Sequence, residues 1–337
     1  MSTPRERLVQ LVNTASEQLK ADPVAPLVFP MVVANYAARL AGEKLHRAIT
    51  DPQVLSSVLF YCYQRFEYDL IMVFTDVLVE AEAMGSTVEI LADEPPLLLQ
   101  PAGVSARLAE PEKDCRLPVV LNATRWLVRQ AQDRVFVVVS LKGPFTLASF
   151  LCGPEQFLEL LVNGPEIAHH YLRLATENQL RYLRAIVNSG GVPFIGDPMA
   201  SGSIIGPEQF RRFALPYLQE LTNAAHTLGV WTGLHICGDT SRLLKLLART
   251  GADILSLDEM NLSMVRERLG PEVVIMGNVS TALLASGTPA MVEQAAARCL
   301  ADGMPKLLLA SACDVPVDTP AENITALVRT AREWRCS

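Results

Sequence analysis

The stretch Val135-Phe136-Val137-Val138-Val139-Ser140-Leu141-Lys142-Gly143 is a nearly continuous apolar run, rich in β-branched residues and closed by a glycine. Such a run, without polar residues at alternate positions, is typical of a parallel strand covered on both faces. Seven further runs of this kind alternate with helical patterns, at residues 27–33, 69–76, 192–197, 230–237, 252–258, 273–278 and 306–313. Eight strands alternating with helices predict an α/β fold, the closed (β/α)8 TIM barrel.

Two segments depart from this alternation. Residues 79–134 follow the second run and contain a β-like stretch, Thr87–Leu91, and a proline pair. An insertion at this point is expected at the mouth of the barrel, where lids over active sites commonly lie. Residues 1–25 predict an N-terminal helix that caps the barrel or covers part of its outer surface. We expect residues 1–337 to form a single domain, since the length suits one large α/β unit.

Composition excludes several classes of protein. Half of the 337 residues are apolar, 19% are charged and the formal net charge is −7, so neither disorder nor a nucleic-acid-binding surface is expected. The sequence contains no apolar run of about twenty residues, so no membrane-spanning helix is expected. The first residues lack the apolar centre of a signal peptide, and the seven cysteines are an odd number, as suits free thiols in the reducing cytoplasm.

A possible metal site ends two of the predicted strands. His235 and Cys237 lie two residues apart, so in a strand both side chains would point to the same face. Cys313 closes a later run of the same kind. One imidazole and two thiolates are a ligand set for zinc, and three protein ligands leave the fourth position open, as in catalytic sites. We therefore predict that His235, Cys237 and Cys313 bind Zn²⁺.

Polar residues at other strand ends extend this candidate site, because a TIM barrel carries its chemistry at the carboxyl ends of its strands. Asp76, Asp197, Asp258 and Asn278 occupy such positions. Asp76 ends an otherwise apolar run, where an unpaired carboxylate would be costly, so we expect it to have a partner or a ligand. Asp258 and Asn278 are equally consistent with capping the turns that follow them, and Asp197 with starting a turn before Pro198.

At these strand ends the sequence resembles the uroporphyrinogen decarboxylase superfamily, and within it the corrinoid-dependent methyltransferase branch that includes methylcobalamin:coenzyme M methyltransferases. The matching stretches are 74–76 with 82–85, 143–148, 197–202, 234–240, 276–279, and 313–316 with 319–323. The His-x-Cys motif with its distant cysteine is the most specific of them. The resemblance implies zinc, a methylcorrinoid such as methylcobalamin as co-substrate, a corrinoid-binding protein as partner and a small thiol as acceptor.

The resemblance also suggests roles for the remaining strand-end residues. Asp76 and Asp197 are candidates for catalytic residues that orient the substrate or the histidine, and Asp258 and Asn278 for cofactor-binding residues. Decarboxylases of this superfamily carry an arginine-rich loop after the first strand, whereas here residues 29–39 contain only Arg39 as a basic residue. Three alternatives stay open: methyl transfer from a methoxy, methylamine or halomethane donor to a corrinoid protein, decarboxylation, and non-catalytic carriage of a corrinoid or metal.

Overall fold

The computed structural model describes residues 2–334, and eight of the strands in that range form one parallel sheet. The strands are β1 Leu27–Phe29, β2 Leu70–Val73, β3 Thr87–Glu89, β4 Leu97–Gln100, β5 Phe136–Lys142, β6 Val192–Gly196, β7 Gly233–Ile236, β8 Ile254–Leu257, β9 Val274–Val279 and β10 Leu307–Ser311. Each of the eight predicted runs overlaps one strand of this sheet, and the predicted TIM barrel is confirmed.

The helices of the described range surround the sheet and connect its strands. They are α1 Pro4–Asn13, α2 Ser16–Ala21, α3 Ala34–Ala41, α4 Leu45–Thr50, α5 Pro52–Phe66, α6 Val79–Ala83, α7 Leu117–Ala131, α8 Pro144–Cys152, α9 Pro154–Asn163, α10 Pro165–Asn188, α11 Pro207–Gln209, α12 Leu215–Thr227, α13 Leu244–Leu247, α14 Leu262–Leu269, α15 Thr281–Ser286, α16 Pro289–Gly303 and α17 Ala321–Glu333. Many begin at proline, whose fixed φ suits the first helical position and whose missing N–H costs nothing there. At the N-terminus of α5, the Asp51 carboxylate caps the helix by accepting a hydrogen bond from the Gln53 N–H at 2.8 Å.

The strand order is β1-β10-β9-β8-β7-β6-β5-β2, so the barrel closes between β1 and β2. At this seam the Asp69 N–H donates to the Val28 carbonyl at 2.9 Å, and the Val28 N–H donates to Asp69 Oδ2 at 2.7 Å. The Asp69 carboxylate is buried and also pairs with Arg7 and Arg332, each at 2.8 Å. One side chain thus completes the seam and ties both ends of the chain to it.

The amino-terminal end of the barrel is closed by the first two helices. Leu8, Leu11 and Leu19 are buried in one apolar cluster with residues from the starts of the strands, including Phe136 and Ile254. The prediction of one helix over residues 1–25 was wrong in detail. Thr14 takes an extended conformation after α1, so the chain turns there and starts α2 at Ser16.

The segment 79–134 consists of two different parts. Its first part holds α6 and the antiparallel hairpin β3–β4, and the hairpin loop contacts the segment after β1, where the His46 N–H donates to the Ala92 carbonyl at 3.1 Å. Its second part is α7, which packs against α5, β2 and β5 as an ordinary barrel helix. The mouth insertion therefore ends before Leu117, because the apolar face of α7 covers the sheet.

Among residues 2–334, no single helix has both the length and the apolar composition needed to cross a membrane. Helices α8 and α9 meet these criteria only when they are taken as a pair, and the pair is bent by 106°.

Candidate metal centre

Three donor atoms converge at the carboxyl-terminal end of the barrel. His235 lies in β7 and Cys237 directly follows that strand, with His235 Nε2 3.2 Å from Cys237 Sγ. Cys313 follows β10, and its Sγ lies 3.7 Å from Cys237 Sγ. All three donor atoms lie within 4.8 Å of one another. Since β7 and β10 are separated by β8 and β9 in the sheet, only the curvature of the barrel brings these side chains together.

The local backbone holds Cys237 in this position. Gly238 has φ +75°, and a Cβ there would lie 2.9 Å from Ser203 Oγ and 3.0 Å from Ser201 Oγ. Only glycine adopts this conformation without strain while the turn approaches the serines so closely. Ser201 Oγ donates to the Cys237 carbonyl at 2.6 Å, which fixes the turn from the other side.

The donor set fits zinc. Two sulfurs held at ~2.3 Å from one tetrahedral zinc ion lie about 3.8 Å apart. The observed separation between the sulfurs is 3.7 Å. On the far side of the imidazole, Nδ1 lies 3.0 Å from Ser256 Oγ, so Nε2 is the nitrogen that faces the cysteines. A hydrogen bond to the second ring nitrogen is the usual means of orienting a histidine ligand.

The three donor side chains shift one another's pKa values. Burial acts to lower the pKa of His235, but the hydrogen bond to Cys313 and the acidic groups nearby outweigh burial and raise it. The hydrogen bond between the two thiols lowers the pKa of Cys237 and, together with burial, raises the pKa of Cys313. Binding of a divalent cation would release these protons, since the ligating forms are thiolate and neutral imidazole.

Replacing Ser256 tests the orientation of the histidine. We expect Ser256→Ala to weaken zinc affinity by about 10–100-fold, because the imidazole loses the hydrogen bond that holds its ring. Competition with a chromophoric chelator measures this affinity. Ser149→Ala is the matched control, since Ser149 is also a buried serine but donates only to the Thr146 carbonyl, at 2.7 Å. Equal zinc affinity in the wild type, Ser256→Ala and Ser149→Ala would contradict the role of Ser256 in orienting His235.

A small cavity of about 70 Å³ opens beside the donors. Its walls are mostly apolar, and its polar lining includes Ser140, Lys142 and Asp314 in addition to the three donors. Burial raises the pKa of Asp314. Sequence reasoning did not single out these three residues. The signal that could have found Lys142 is the one used for Asp76, an ionisable residue inside an apolar strand.

Asp76 lies in a buried ion pair. Its carboxylate pairs with the guanidinium of Arg116 through both oxygens, and Oδ1 also accepts from the Leu78 N–H at 2.9 Å. Arg116 Nε donates in turn to Glu82 Oε2 at 2.7 Å. The expected partner of this carboxylate is therefore Arg116, which lies 40 residues further along the chain. Asp76 does not line the donor cavity, and its catalytic role stays a prediction.

Asp197 is fully buried beside the donor cavity. Its Oδ1 accepts from the N–H and the hydroxyl of Thr146 at 2.7 and 2.6 Å, at the start of α8. Burial raises the pKa of Asp197 to about 6, against the opposing effect of the Thr146 hydrogen bonds. The Asp197 N–H also donates to the His235 carbonyl at 2.9 Å, so the residue links α8 to β7. Its predicted catalytic role remains a prediction.

Asp258 and Asn278 hold the loops around the site. Asp258 Oδ2 accepts from the Gly238 N–H at 2.6 Å, directly beside Cys237. Asn278 Nδ2 donates to the carbonyls of Asp258 and Met260, both at 2.8 Å. Asp258 Oδ1 also accepts from the Glu259 N–H at 2.8 Å, which matches the turn-capping alternative for Asp258. The two backbone bonds of the Asn278 amide go to the loop after β8 and not to the turn that follows Asn278. Neither residue lines the donor cavity, and their cofactor-binding role stays a prediction.

Comparison with known proteins places this barrel among related enzymes. Residues 4–334 match the family profile described as uroporphyrinogen decarboxylase (URO-D). The chain belongs to the uroporphyrinogen decarboxylase family. A methylated-thiol–coenzyme M methyltransferase of Methanosarcina mazei is 30% identical over 264 residues, which cover 77% of this chain and 71% of the relative. The methylcobamide:CoM methyltransferase MtbA of Methanosarcina acetivorans is 26% identical over 345 residues, which cover 99% of this chain and 98% of the relative.

A solved structure agrees with these relatives. A methyltransferase from Methanosarcina mazei superposes with a TM-score of 0.88 at 25% identity, and the match covers 99% of both chains. Within the uroporphyrinogen decarboxylase family, the chain is thus homologous to corrinoid:CoM methyltransferases, as the sequence motifs indicated. The single basic residue of the segment 29–39, Arg39, is exposed on α3 and does not line the donor cavity.

Proposed function

We propose that this protein transfers a methyl group from a methylated corrinoid to a small thiol. The observation that carries the proposal is the convergence of His235 Nε2 and the two cysteine sulfurs beside a small cavity at the mouth of the barrel. Three protein ligands are the set expected of a catalytic zinc site. The nearly full-length relative whose name specifies methylcobamide and CoM supports the same reaction.

The reaction needs a strong sulfur nucleophile at neutral pH. When bound by His235, Cys237 and Cys313, zinc would lower the pKa of a thiol and hold it as the thiolate. The two cysteine thiolates supply two negative charges to the site, so an incoming sulfur stays rich in electrons. Ser256 holds the imidazole, while the apolar walls that include Met72, Phe74 and Phe194 limit the entry of water.

The methyl group moves from cobalt to sulfur in one nucleophilic displacement. A sulfur lone pair forms the new S–CH₃ bond, and the Co–CH₃ bond breaks with its electron pair remaining on cobalt. Methylcob(III)alamin and a thiol therefore yield cob(I)alamin, a methyl thioether and the proton of the thiol. We propose that the methyl donor in the cell is a corrinoid-binding protein that docks over the mouth of the barrel.

The size and charge of the cavity favour this reaction over decarboxylation of a tetrapyrrole. Pockets for drug-sized ligands measure about 300–1,000 Å³. The donor cavity measures about 70 Å³, and its lining includes Lys142 but no arginine within the described part of the chain. A substrate with many carboxylates would be poorly bound there, because bidentate pairing with arginine is the usual means of holding such groups.

An anaerobic assay with free methylcobalamin tests the function. We expect zinc-loaded protein to convert methylcobalamin and coenzyme M to cob(I)alamin and the methyl thioether, measured by absorbance and by mass spectrometry. No methylation across a panel of thiols would contradict the proposal. Transfer from a methylamine, methoxy or halomethane donor to cob(I)alamin would then favour the donor-side reaction, and release of CO₂ from uroporphyrinogen would favour decarboxylation.

A further inference from the structure

We infer that Asp258 is a positioning residue of the metal centre, which fixes the peptide unit after Cys237 through the Gly238 N–H and so holds the Cys237 sulfur in place for zinc. The inference rests on the metal centre of the proposed function and adds to it a residue outside the ligand set. It gives Asp258 a role other than the predicted binding of a cofactor. The observation that carries it is the pair of hydrogen bonds made by one peptide unit.

The peptide unit between Cys237 and Gly238 is hydrogen-bonded at both of its polar atoms. Its carbonyl accepts from Ser201 Oγ, and its N–H donates to Asp258 Oδ2, each at 2.6 Å. Ser201 lies in the loop after β6 and Asp258 directly follows β8, and these two strands are the neighbours of β7 in the sheet. Because a peptide unit is planar, bonds from both sides leave little freedom to the Cα atom of Cys237.

Asp258 is itself held in a set orientation. Its Oδ1 accepts from the Glu259 N–H at 2.8 Å, and its carbonyl accepts from Asn278 Nδ2 at 2.8 Å. Each carboxylate oxygen therefore binds a backbone N–H, one in its own loop and one in the turn that carries Cys237. A hydrogen bond to a carboxylate is stronger than one between neutral groups. The side chain thus connects the turn after β7 firmly to the loop after β8.

The second cysteine ligand has no comparable hydrogen bonds. Among residues 2–334, the peptide unit between Cys313 and Asp314 makes no hydrogen bond at either polar atom. The backbone bonds of this loop lie further out, at the N–H groups of Ala312 and Val315. The site therefore combines one cysteine that is fixed from two sides with one that is not. Release of Cys237 would leave neither sulfur in a set position, so the affinity for zinc should depend on Asp258.

Competition with a chromophoric chelator measures this affinity without requiring turnover. We expect Asp258→Ala to bind zinc about 10–100-fold more weakly than the wild type, which is the usual effect of losing a residue that orients a metal ligand. Asp258→Asn has only one acceptor oxygen for the two N–H groups, so its affinity should lie between those two. Unchanged zinc affinity in folded Asp258→Ala would overturn the inference, even with lower stability in urea, because the bond would then only support the fold.

Asp239→Ala is the matched control. Asp239 directly follows Gly238 in the same turn, but it is exposed, and its Oδ1 accepts from the Ser241 N–H at 2.8 Å. The variant removes the same charge from the same turn and leaves both bonds of the peptide unit after Cys237 in place. It should keep the zinc affinity of the wild type. A loss equal to that of Asp258→Ala would overturn the inference, since negative charge at the mouth would then hold the metal.

Nuclear magnetic resonance observes the hydrogen bond itself. Cysteine precedes glycine at two places in the sequence, Cys152-Gly153 and Cys237-Gly238. Protein with ¹³C at the cysteine carbonyl and ¹⁵N in glycine therefore gives two amide signals in a spectrum that selects bonded ¹³C–¹⁵N pairs. We expect the Gly238 proton to be shifted downfield and protected from hydrogen exchange in the wild type, and to lose both properties in Asp258→Ala. The Gly153 signal should not change. A Gly238 signal that is the same in both proteins would overturn the inference.

Failure of the proposed function gives a different result. Wild-type protein that binds zinc with an affinity dependent on Asp258, but methylates no thiol, would overturn the proposed function and leave this inference standing. Wild-type protein that binds no zinc would overturn both. Methylation of thiols together with equal zinc affinity in the wild type and Asp258→Ala would remove only the role of Asp258.

Discussion

Cys237→Ala and Cys313→Ala proteins are expected to fold but to lose both their zinc and the methylation of thiols. Each change removes one of three donors that meet within 4.8 Å, and two donors cannot hold zinc with comparable affinity. Wild-type protein should carry about one zinc per chain. Metal analysis after dialysis measures the loss, and the methylcobalamin assay measures the activity in the same samples.

A control variant separates loss of zinc from loss of a thiol in general. Cys299 is partly buried like the two ligands, but it lies on α16 with its Sγ 3.7 Å from Asn278 Oδ1. Cys299→Ala should keep both zinc and activity. Circular dichroism should show the same fold in all these proteins, because Cys237 and Cys313 lie at the edge of a cavity and not in the packed core. Full retention of metal in both ligand variants would refute the site.

Asp76→Ala is expected to destabilise the protein by about 3–5 kcal/mol, the usual cost of removing one partner of a buried ion pair. The side chains of Asp76 and Arg116 are only 5% and 7% exposed, so the guanidinium cannot regain water when the carboxylate is removed. Glu82, whose side chain is 20% exposed, would remain as its one partner in the described ion pairs. Urea unfolding followed by fluorescence measures the free energy of unfolding.

The same variant distinguishes a structural role for Asp76 from a catalytic one. If Asp76 has only the structural role of pairing with Arg116, the folded fraction of Asp76→Ala should keep its zinc and its KM for thiols should equal that of the wild type. A fall in kcat in folded Asp76→Asn, without loss of stability, would instead support the catalytic role. Glu43→Ala is the control, because its ion pair with Arg47 is exposed and should contribute less than about 0.5 kcal/mol.

The strands were predictable because each is a local pattern. An apolar run bounded by turn residues identifies a buried parallel strand wherever it occurs in the chain, and each of the eight runs overlaps one. The same local logic found His235 and Cys237, whose spacing in a strand directs both side chains to one face. Local patterns could not place the end of the mouth insertion. Helix α7 proves to be a barrel helix only through its packing against β2 and β5, which the local sequence does not reveal.

The partners of the candidate residues could not be predicted in this way. Arg116 pairs with Asp76 across 40 residues, and Ser256 lies beside His235 from the neighbouring strand. Lys142 reaches the donor cavity because Gly196 leaves room beside its amine, which is a property of the register between β5 and β6. Each contact depends on which strands become neighbours.

The sequence by itself determined the number and kind of strands in the barrel, the residue types able to bind zinc and the family to which the chain belongs, because hydrophobic pattern and ligand chemistry are properties of the residues. Only the tertiary structure decided that Cys313 meets Cys237, that Asp69 completes the seam of the barrel, and that Asp76 is bound by Arg116 outside the donor cavity. The physical reason is that closing the barrel and setting its strand register bring together groups that are far apart along the chain. The distances between those groups then decide which of them can share an ion, a proton or a substrate.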